Sequence, residues 1–307
     1  LQTALAWARS DGAAGLIAVY HLTSGAYELD SIASEFTFDA HIKASEVRLI
    51  GSGDVTLSAI DSGTPLLRIE AGAPPVTLHG LRLRSQVLTA LQQASDSMPF
   101  PRPRQSPFRL LPSVQVVISG TGATVNVQSC TFGNSSSVAG GALAIHNGSV
   151  TIEDSTFVNN TAQVKGGAIA VTGGILALTR STLIHNTVGA ADGGGAIHVG
   201  GGVVSLTRTL LRSNLAVGSS QSAYVKAGDF IYRLPAPLGR WIASSGTAQQ
   251  LIVAGAIADF PFPCAPGIYG DNDNISAQSS PMCTALCPAG RVCKGATVVP
   301  APCDRSG

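Results

Sequence analysis

The residues best suited to chemistry are an acid and two arginines that occupy one position in successive copies of a repeated segment. Asp154, Arg180 and Arg208 share this position, and Glu153 directly precedes the acid. A polysaccharide lyase or hydrolase needs carboxylates, often with Ca²⁺, and an Arg or Lys base, or two acids at a set separation. Neither an Asp-x-Asp motif nor a second acidic column lies beside these residues, and an Asp154–Arg180 ion pair explains them without catalysis. We therefore predict a surface ion-pair site here and no catalytic residue.

Three histidines and one acidic run offer other polar groups, but they lack the pattern of a metal site. His146, His185 and His198 fall at different positions within the repeat, whereas metal ligands must converge. The run at residues 271–274 has oxygen ligands at alternate positions, but it lacks the Gly and terminal Glu of an EF-hand loop. We interpret it as a polar turn and predict no metal and no cofactor. Cys130 stands where other copies have Ser or Thr, which predicts a small buried thiol rather than a nucleophile.

Cysteines and Asn-x-Ser/Thr triplets bear on the compartment in which the chain folds. Five of the six cysteines lie between residues 264 and 303, a density that predicts local disulfides and an oxidising environment. These disulfide candidates are Cys264, Cys283, Cys287, Cys293 and Cys303. The glycosylation candidates are Asn134, Asn147, Asn159 and Asn274. Such triplets also arise by chance in Ser/Thr-rich chains, so secretion is inferred mainly from the cysteines.

The ion-pair site belongs to a segment that is written four times between residues 123 and 226. The copies begin TVNVQSCTFGNS, SVTIEDSTFVNN, ILALTRSTLIHN and VVSLTRTLLRSN. Equivalent positions, separated by 25, 26 and 28 residues, are Val127, Ile152, Leu178 and Leu206. A period of this size is typical of stacked supersecondary units. Because two apolar residues alternate with polar ones in each copy, we predict short strands whose apolar faces form continuous columns inside stacked coils.

Glycine pairs and a recurrent Asn mark the predicted corners of these coils. The pairs Gly140-Gly141, Gly166-Gly167 and Gly194-Gly195 suit corners where a positive φ or close backbone approach excludes a Cβ. Asn recurs at one position in the last three copies, at Asn160, Asn186 and Asn214. Since Asn tolerates the left-handed conformation and hydrogen-bonds its neighbours, we predict that these asparagines hold turns.

The remainder of the chain extends the pattern at both ends. Short apolar runs separated by turn signals fill residues 15–83, with no helical pattern between them. Helical spacing over residues 1–8 predicts a capping helix on the first coil. Prolines and arginines break the rhythm over residues 85–113, which we interpret as a solvated excursion, with a binding loop for an acidic polymer as the alternative. The predicted fold is an all-β solenoid over residues 1–260, followed by a small disulfide-rich tail over residues 261–307.

Composition excludes several functional classes. The net charge of +1 argues against a nucleic-acid binder, which needs a concentrated basic surface. No apolar run approaches the roughly 20 residues of a membrane span. The first residues carry neither an initiator Met nor a signal pattern, so a signal peptide is either already removed or was never part of this segment.

Two resemblances sharpen this interpretation. The pairing of F-x-x-N with G-G-A-[ILV], as in Phe157-Val158-Asn159-Asn160 and Gly166-Gly167-Ala168-Ile169, resembles the repeat of chlamydial polymorphic outer membrane proteins. The resemblance covers about residues 123–199, although the first copy departs from it with F-x-N. It implies a right-handed parallel β-helix, the group that includes pectate-lyase-like proteins, and a surface location.

The second resemblance concerns the cysteine-rich tail. Cys264-Ala-Pro-Gly-Ile-Tyr-Gly and Cys287-Pro-Ala-Gly-Arg-Val-Cys are similar to ephrin-receptor-like and tumour-necrosis-factor-receptor-like repeats of large extracellular proteins. β-Helix segments joined to such repeats occur in surface proteins of unicellular algae and other protists, so this resemblance implies an extracellular or cell-surface protein. With five tail cysteines, one is unpaired unless it reaches Cys130 or the module continues past residue 307, and we favour continuation.

Three functional classes remain after this reasoning. The leading one is a non-enzymatic structural or adhesion protein, a rigid rod within a larger assembly. Its expected partners are other surface or matrix proteins, further copies or glycans, with no nucleic acid. The second is carbohydrate binding or cleavage by a polysaccharide lyase or glycoside hydrolase, for which an aromatic content of 5% provides few stacking platforms. The third, ice binding, requires regular Thr arrays that the outward positions do not form.

Overall fold

The strands of the computed structural model stack into a parallel β-solenoid, so the predicted fold class is confirmed. The structure describes residues 6–29, 36–59, 65–85, 116–218, 221–243 and 259–303. Within these ranges, helical geometry is confined to residues 6–8 and the 3₁₀ turn Asp11–Ala13. Most of the predicted capping helix and of the 85–113 excursion lies outside the described residues.

The first sheet has thirteen strands, all parallel to their neighbours except the last. One long strand crosses this sheet in each of the first three coils, at Ile17–Leu29, Glu46–Ala59 and Val76–Ser85. In later coils two short strands joined by a bend replace the long strand. The strands before the bend are Thr124–Gln128, Ser149–Glu153, Ile175–Thr179, Val203–Thr207 and Asp229–Arg233. Those after it are Thr131–Gly133, Thr156–Val158, Thr182–Ile184 and Leu210–Arg212, with Asp259–Phe260 added antiparallel at the end.

Two further parallel sheets complete the coil. The second sheet comprises Phe36–Phe38, Leu67–Ile69, Val116–Ile118, Leu143–Ile145, Ile169–Val171, Ile197–Val199 and Ala223–Val225. The third sheet comprises Ser136–Ala139, Thr161–Lys165, Thr187–Val188 and Leu215–Ala216. Beyond the coils, three antiparallel pairs join Arg240–Trp241 to Phe262–Pro263, Ile268–Tyr269 to Ala285–Leu286, and Arg291–Val292 to Ala301–Pro302.

In-register pairing stacks each apolar position on its equivalent in the next coil. The column predicted from the repeat, buried throughout, consists of Val127, Ile152, Leu178 and Leu206. Beside it, the rings of Phe132 and Phe157 stack with their centroids 4.6 Å apart and their planes inclined by 2°. Because strands in a sheet are about 4.8 Å apart, like side chains meet at contact distance and exclude water from the whole column.

The recurrent asparagines form an internal ladder between strands: the predicted hydrogen bonds to neighbours are present, but the predicted left-handed conformation is not. Asn160, Asn186 and Asn214 are fully buried. Nδ2 of Asn160 donates to Oδ1 of Asn186, and Nδ2 of Asn186 donates to Oδ1 of Asn214, each at 2.9 Å. The left-handed conformation belongs instead to the residue before each, as at Asn159 (φ 55°) and His185 (φ 54°). The amides are retained inside because they also bond backbone groups that the bend leaves unpaired.

The glycine pairs stand where successive coils touch, as predicted. Gly166 has a φ of 55°, a conformation that favours glycine. A Cβ built on Gly167 would lie 2.0 Å from the carbonyl oxygen of Gly195 in the next coil and 2.5 Å from that of Thr187. The coil therefore closes only because no side chain stands at this corner.

The cysteine-rich tail is fixed to the segment that follows the last coil. Gln278 is 2% exposed, and its side-chain amide donates to the carbonyl of Ala236 at 2.9 Å and accepts from the Ala236 N–H at 2.7 Å. The backbone carbonyl of Gln278 also accepts from the N–H of Ile242 at 2.9 Å. Disulfides join Cys264 to Cys283 and Cys287 to Cys293. The hydrogen bonds of Gln278 therefore connect the tail to the segment after the last coil, and the disulfides cross-link the tail internally.

Candidate functional site: a charged column on the outer surface

The predicted ion-pair residues all stand at the bend between the two short strands of the first sheet. Asp154, Arg180 and Arg208 each have a φ of 48°, and Ser129 precedes them in the same column with 53°. In the third coil Gly80 takes this position, between the residues that pair with Gln128 and Thr131. A left-handed residue is required here because the bend turns one strand into the next within a single residue. From Ser129 onward, the column of bends therefore presents one side chain per coil to solvent.

Asp154 and Arg180 form a bidentate ion pair across two adjacent coils. Nε of Arg180 lies 2.7 Å from Oδ1 of Asp154, and Nη2 lies 2.8 Å from Oδ2. Nη2 also bonds Oε2 of Glu153 at 3.1 Å. The side chains are between 39% and 45% exposed, so water screens the pair and its contribution to stability is small. The geometry fixes the position of three charges on the outer surface.

The pKa shifts of Asp154 and Arg180 are opposite to those that a catalytic acid and a catalytic base require. The hydrogen bond from Arg180 lowers the pKa of Asp154 below its usual value, which keeps the carboxylate ionised. The same bond raises the pKa of Arg180, so the guanidinium cannot release its proton to act as a base. A glycosidase acid requires a raised pKa, and no such shift is present at Asp154. The column is therefore suited to ion pairing and to charge display.

Arg208 turns away from this pair and contacts the cysteine-rich tail. Its Nη2 bonds the carboxylate of Asp273, which lies 65 residues later. A cleft of about 440 Å³ opens around this contact and is lined by Arg208, Asp271, Asn272, Asp273 and residues 236–238. The sequence gives no signal for this contact, because Asp273 lies outside the repeat. The run at 271–274 is exposed, and Oδ1 of Asn272 accepts from the N–H of Asn274, as expected of a polar turn.

The other predicted polar positions are dispersed over the described surface. Asn134, Asn159 and Asn274 are exposed, whereas Asn147 is half-buried and binds the N–H of Gly148 through Oδ1. Asn134 and Asn159 stand one above the other on adjacent coils, because Ser136 and Thr161, two residues after them, are paired in the third sheet.

The histidines and free cysteines occupy separate environments. His146 and His185 are exposed, while His198 is buried on the second sheet. Burial, reinforced by the charges of nearby lysines, lowers the pKa of His198 to about 4. Within the described ranges, no three His, Cys, Asp or Glu side chains group as metal ligands would. Cys130 is buried, and burial raises the pKa of its thiol to about 11, while Cys303 is exposed and unpaired among the described residues.

The comparison with known proteins matches part of one coil of this structure. In the part of the chain that the structure describes, no helix has the length and apolarity to cross a membrane. No curated protein and no solved structure matches the chain. A family model described as the Chlamydia polymorphic membrane protein repeat matches residues 154–172, which run from the bend at Asp154 through the buried Phe157 and the glycine pair to the second sheet. Over residues 154–172, the chain is similar to the Chlamydia polymorphic membrane protein repeat.

Proposed function

We propose that the chain is a non-enzymatic structural part of an extracellular or cell-surface protein, a rigid rod that supports adhesion or assembly. The observation that carries this proposal is the uninterrupted interior. Apolar columns, a stacked aromatic pair and a ladder of buried amides continue from coil to coil. Each coil fixes the next, so bending or stretching the solenoid would break many contacts at once.

Support for an extracellular location comes from the tail and from the matched coil. Two disulfides lie within 30 residues of one another, as is typical of proteins that fold in an oxidising compartment. The family model that matches residues 154–172 describes a repeat of membrane proteins. Asn134 and Asn159 are exposed within acceptor triplets and could carry glycans. The resemblance of the tail to ephrin-receptor-like repeats stays a prediction, as do surface or matrix proteins as partners.

Surface labelling of intact source cells tests the location. Cells are treated with a membrane-impermeant amine reagent, and thiols are alkylated before and after reduction. We expect labelled Lys226, and peptides in which Cys264 and Cys283 react only after reduction. Enzymatic deglycosylation should convert any occupied Asn134 or Asn159 to Asp, which mass spectrometry detects. Labelling only after lysis, together with free thiols at both cysteines, would contradict the proposal.

The alternative function is carbohydrate binding or cleavage by a lyase or hydrolase acting along a face of the solenoid. The cleft between Arg208 and Asp273 favours it, because acidic, basic and amide groups line one concave surface. A glycan array combined with a lyase assay on acidic polysaccharides distinguishes the two functions. Turnover that is lost in Arg208→Ala or Asp273→Asn, both in this cleft, but kept in Arg82→Ala, would overturn the structural proposal. Arg82 is a matched control because it pairs with Asp54 on an earlier part of the same sheet.

A further inference from the structure

A column of outward residues follows the second sheet and is interrupted at Gly200. The N–H groups of five successive residues in this column bond carbonyls of the preceding coil in the same way. The five are Ser119, His146, Thr172, Gly200 and Lys226. Of these, only Gly200 lacks a side chain, so a notch opens on the surface between Thr172 and Lys226 of the neighbouring coils.

Closure of the coil does not require a glycine at this position. A Cβ built on Gly200 would lie 3.3 Å from Cε1 of His198, so a shift of that ring by a few tenths of an ångström would admit a side chain. The next two residues differ, because a Cβ on Gly201 or Gly202 would lie 2.6 Å or 2.2 Å from a backbone carbonyl oxygen. The notch is thus a property of the sequence at Gly200 rather than a consequence of the corner.

A ring nitrogen without a partner faces the notch. His198 lies two residues before Gly200, in the strand Ile197–Val199, and is 2% exposed. Its Nδ1 would lie 3.6 Å from a Cβ on Gly200, so the Nδ1–Cε1 edge of the ring faces this space. Nδ1 is buried and has no hydrogen-bond partner in the described part of the chain. Because a buried polar atom without a partner is costly, a ligand in the notch that bonds Nδ1 would be stabilising.

Two of the four lysines of the chain flank this ring. Lys226 occupies the position next to the notch in the following coil, and its side chain is exposed. Lys165 directly precedes Gly166, whose Cβ would lie 3.0 Å from the backbone nitrogen of Ala170. Ala170 pairs with the histidine in the second sheet, so Lys165 approaches the ring from the preceding coil.

The charge around the ring is positive. Burial lowers the pKa of His198, and the charges of Lys165 and Lys226 lower it further. Within the described ranges neither lysine forms a salt bridge, and the exposed Asp192, the acid nearest to the histidine in sequence, forms none either. Tyr224 stacks on the ring with the centroids 5.7 Å apart, which holds the ring in place. An anion in the notch would therefore meet two positive charges and one fixed nitrogen.

We propose that the notch binds one oxyanion group, a sulfate or a carboxylate, between Nδ1 of His198 and the ammonium group of Lys226. The tautomer with the proton on Nδ1 donates to one oxygen of the group, and the ammonium group donates to another. Lys165 contributes a second positive charge from the preceding coil. The space left by one side chain accommodates a single such group. The site lies outside the column of bends, and this inference does not depend on the proposed function.

Nuclear magnetic resonance of the histidine rings tests the site. Sulfate is titrated at neutral pH and constant ionic strength into the chain carrying isotope-labelled histidine, with the His198 signals assigned from the spectrum of His198→Gln. We expect a saturable shift of the His198 ring nitrogens and none at His146 or His185. Because a bound anion favours the protonated ring, the pKa of His198 should also rise when sulfate is present.

Two substitutions remove different parts of the site. Lys226→Gln removes the opposite charge and should weaken sulfate binding at least about tenfold, the loss expected for one charge-assisted hydrogen bond. Gly200→Ala places a methyl group in the notch and should abolish the saturable shift. Lys294→Gln, the same change on an exposed lysine of the tail, is the matched control and should bind sulfate like the unaltered chain. Circular dichroism of each variant verifies that the solenoid is intact.

Sodium acetate and a sulfated disaccharide, titrated in the same way, distinguish the sources of the oxyanion. Acetate reports whether a carboxylate is bound, and tighter binding of the disaccharide than of sulfate assigns the site to acidic glycans rather than to free ions. The proposal is overturned if neither sulfate nor acetate gives a saturable shift at His198, or if all histidines shift alike. It is also overturned if Lys226→Gln and Gly200→Ala bind as the unaltered chain does.

Discussion

Replacing Asn186 by Leu tests the internal ladder, because Leu has nearly the same size but no polar atoms. Four hydrogen bonds end at the Asn186 side chain. Its Oδ1 accepts from the backbone N–H of Asn160 at 3.0 Å and from its Nδ2 at 2.9 Å. Its Nδ2 donates to the carbonyl of Phe157 at 3.0 Å and to Oδ1 of Asn214 at 2.9 Å. The substitution therefore leaves two donors and two acceptors without this partner inside the coil.

The size of the effect follows from counting these groups. Oδ1 of Asn214 keeps its bond from the backbone N–H of residue 186 at 3.0 Å, so three of the four groups are left without a partner. At about 1 kcal/mol each, the low end for a buried polar group, they cost about 3 kcal/mol. The greater hydrophobicity of Leu offsets about 1 kcal/mol of this loss. We expect the free energy of unfolding to fall by about 2 kcal/mol in denaturant titrations, with faster hydrogen exchange at the amide of Asn160.

Asn159→Ala is the matched control, because Asn159 is exposed and precedes the ladder residue in the neighbouring coil. It should lower stability by about 1 kcal/mol or less, the cost of placing Ala in the left-handed conformation. The ladder is not a main source of stability if Asn186→Leu and Asn159→Ala prove equally mild.

Three other substitutions probe the corner, the core and acid sensitivity. Gly167→Ala should lower the free energy of unfolding by several kcal/mol, because its Cβ would overlap the carbonyl of Gly195. Gly218→Ala, with open space around the Cβ, should lower it by about 1 kcal/mol. Melting temperatures that fall equally in the two variants would refute the corner argument. Ile152→Asp should prevent folding at neutral pH because the position is fully buried, and native-like circular dichroism and protease resistance would show that its inward assignment is wrong. The pKa of His198 lies at about 4 in the folded chain and near 6.5 in the unfolded chain, so protons bind the unfolded state preferentially and stability falls by about 2 kcal/mol from pH 7 to pH 5. His198→Leu should remove most of that fall in urea titrations at the two pH values, and an unchanged slope would contradict this assignment.

The interior of the solenoid could be predicted from the sequence because its cause is local. Alternation places Val150 and Ile152 on one face of a strand, and the repeat places the same types above and below them. The ion pair between Asp154 and Arg180 could be predicted for the same reason, since equal positions in adjacent coils are neighbours. In the repeats, residues one sequence period apart are direct neighbours in the structure.

The stacking of the asparagines into a ladder could not be predicted, because an Asn that holds a turn by itself and an Asn in a ladder recur in the same way. The distinguishing signal was the residue before each Asn, which varies between Asn159, His185 and Ser213, as an exposed position can. The bond from Arg208 to Asp273 could not be predicted either, because it depends on how the tail packs beyond the last coil. Contacts between the repeat and sequence outside it have no periodic signal.

The direction of the ladder has a consequence for how such a rod can change in length. Each ladder Asn receives hydrogen bonds from the preceding coil and donates one to the following coil. A duplicated coil inserted anywhere in the series would therefore make the same bonds on both sides, and the rod would lengthen by one step of about 4.8 Å. Insertion of half a coil would instead bring an apolar column against the amides. The length of the solenoid can therefore change only by whole coils. Duplication of the gene segment for one coil would lengthen the rod and leave the core contacts unchanged.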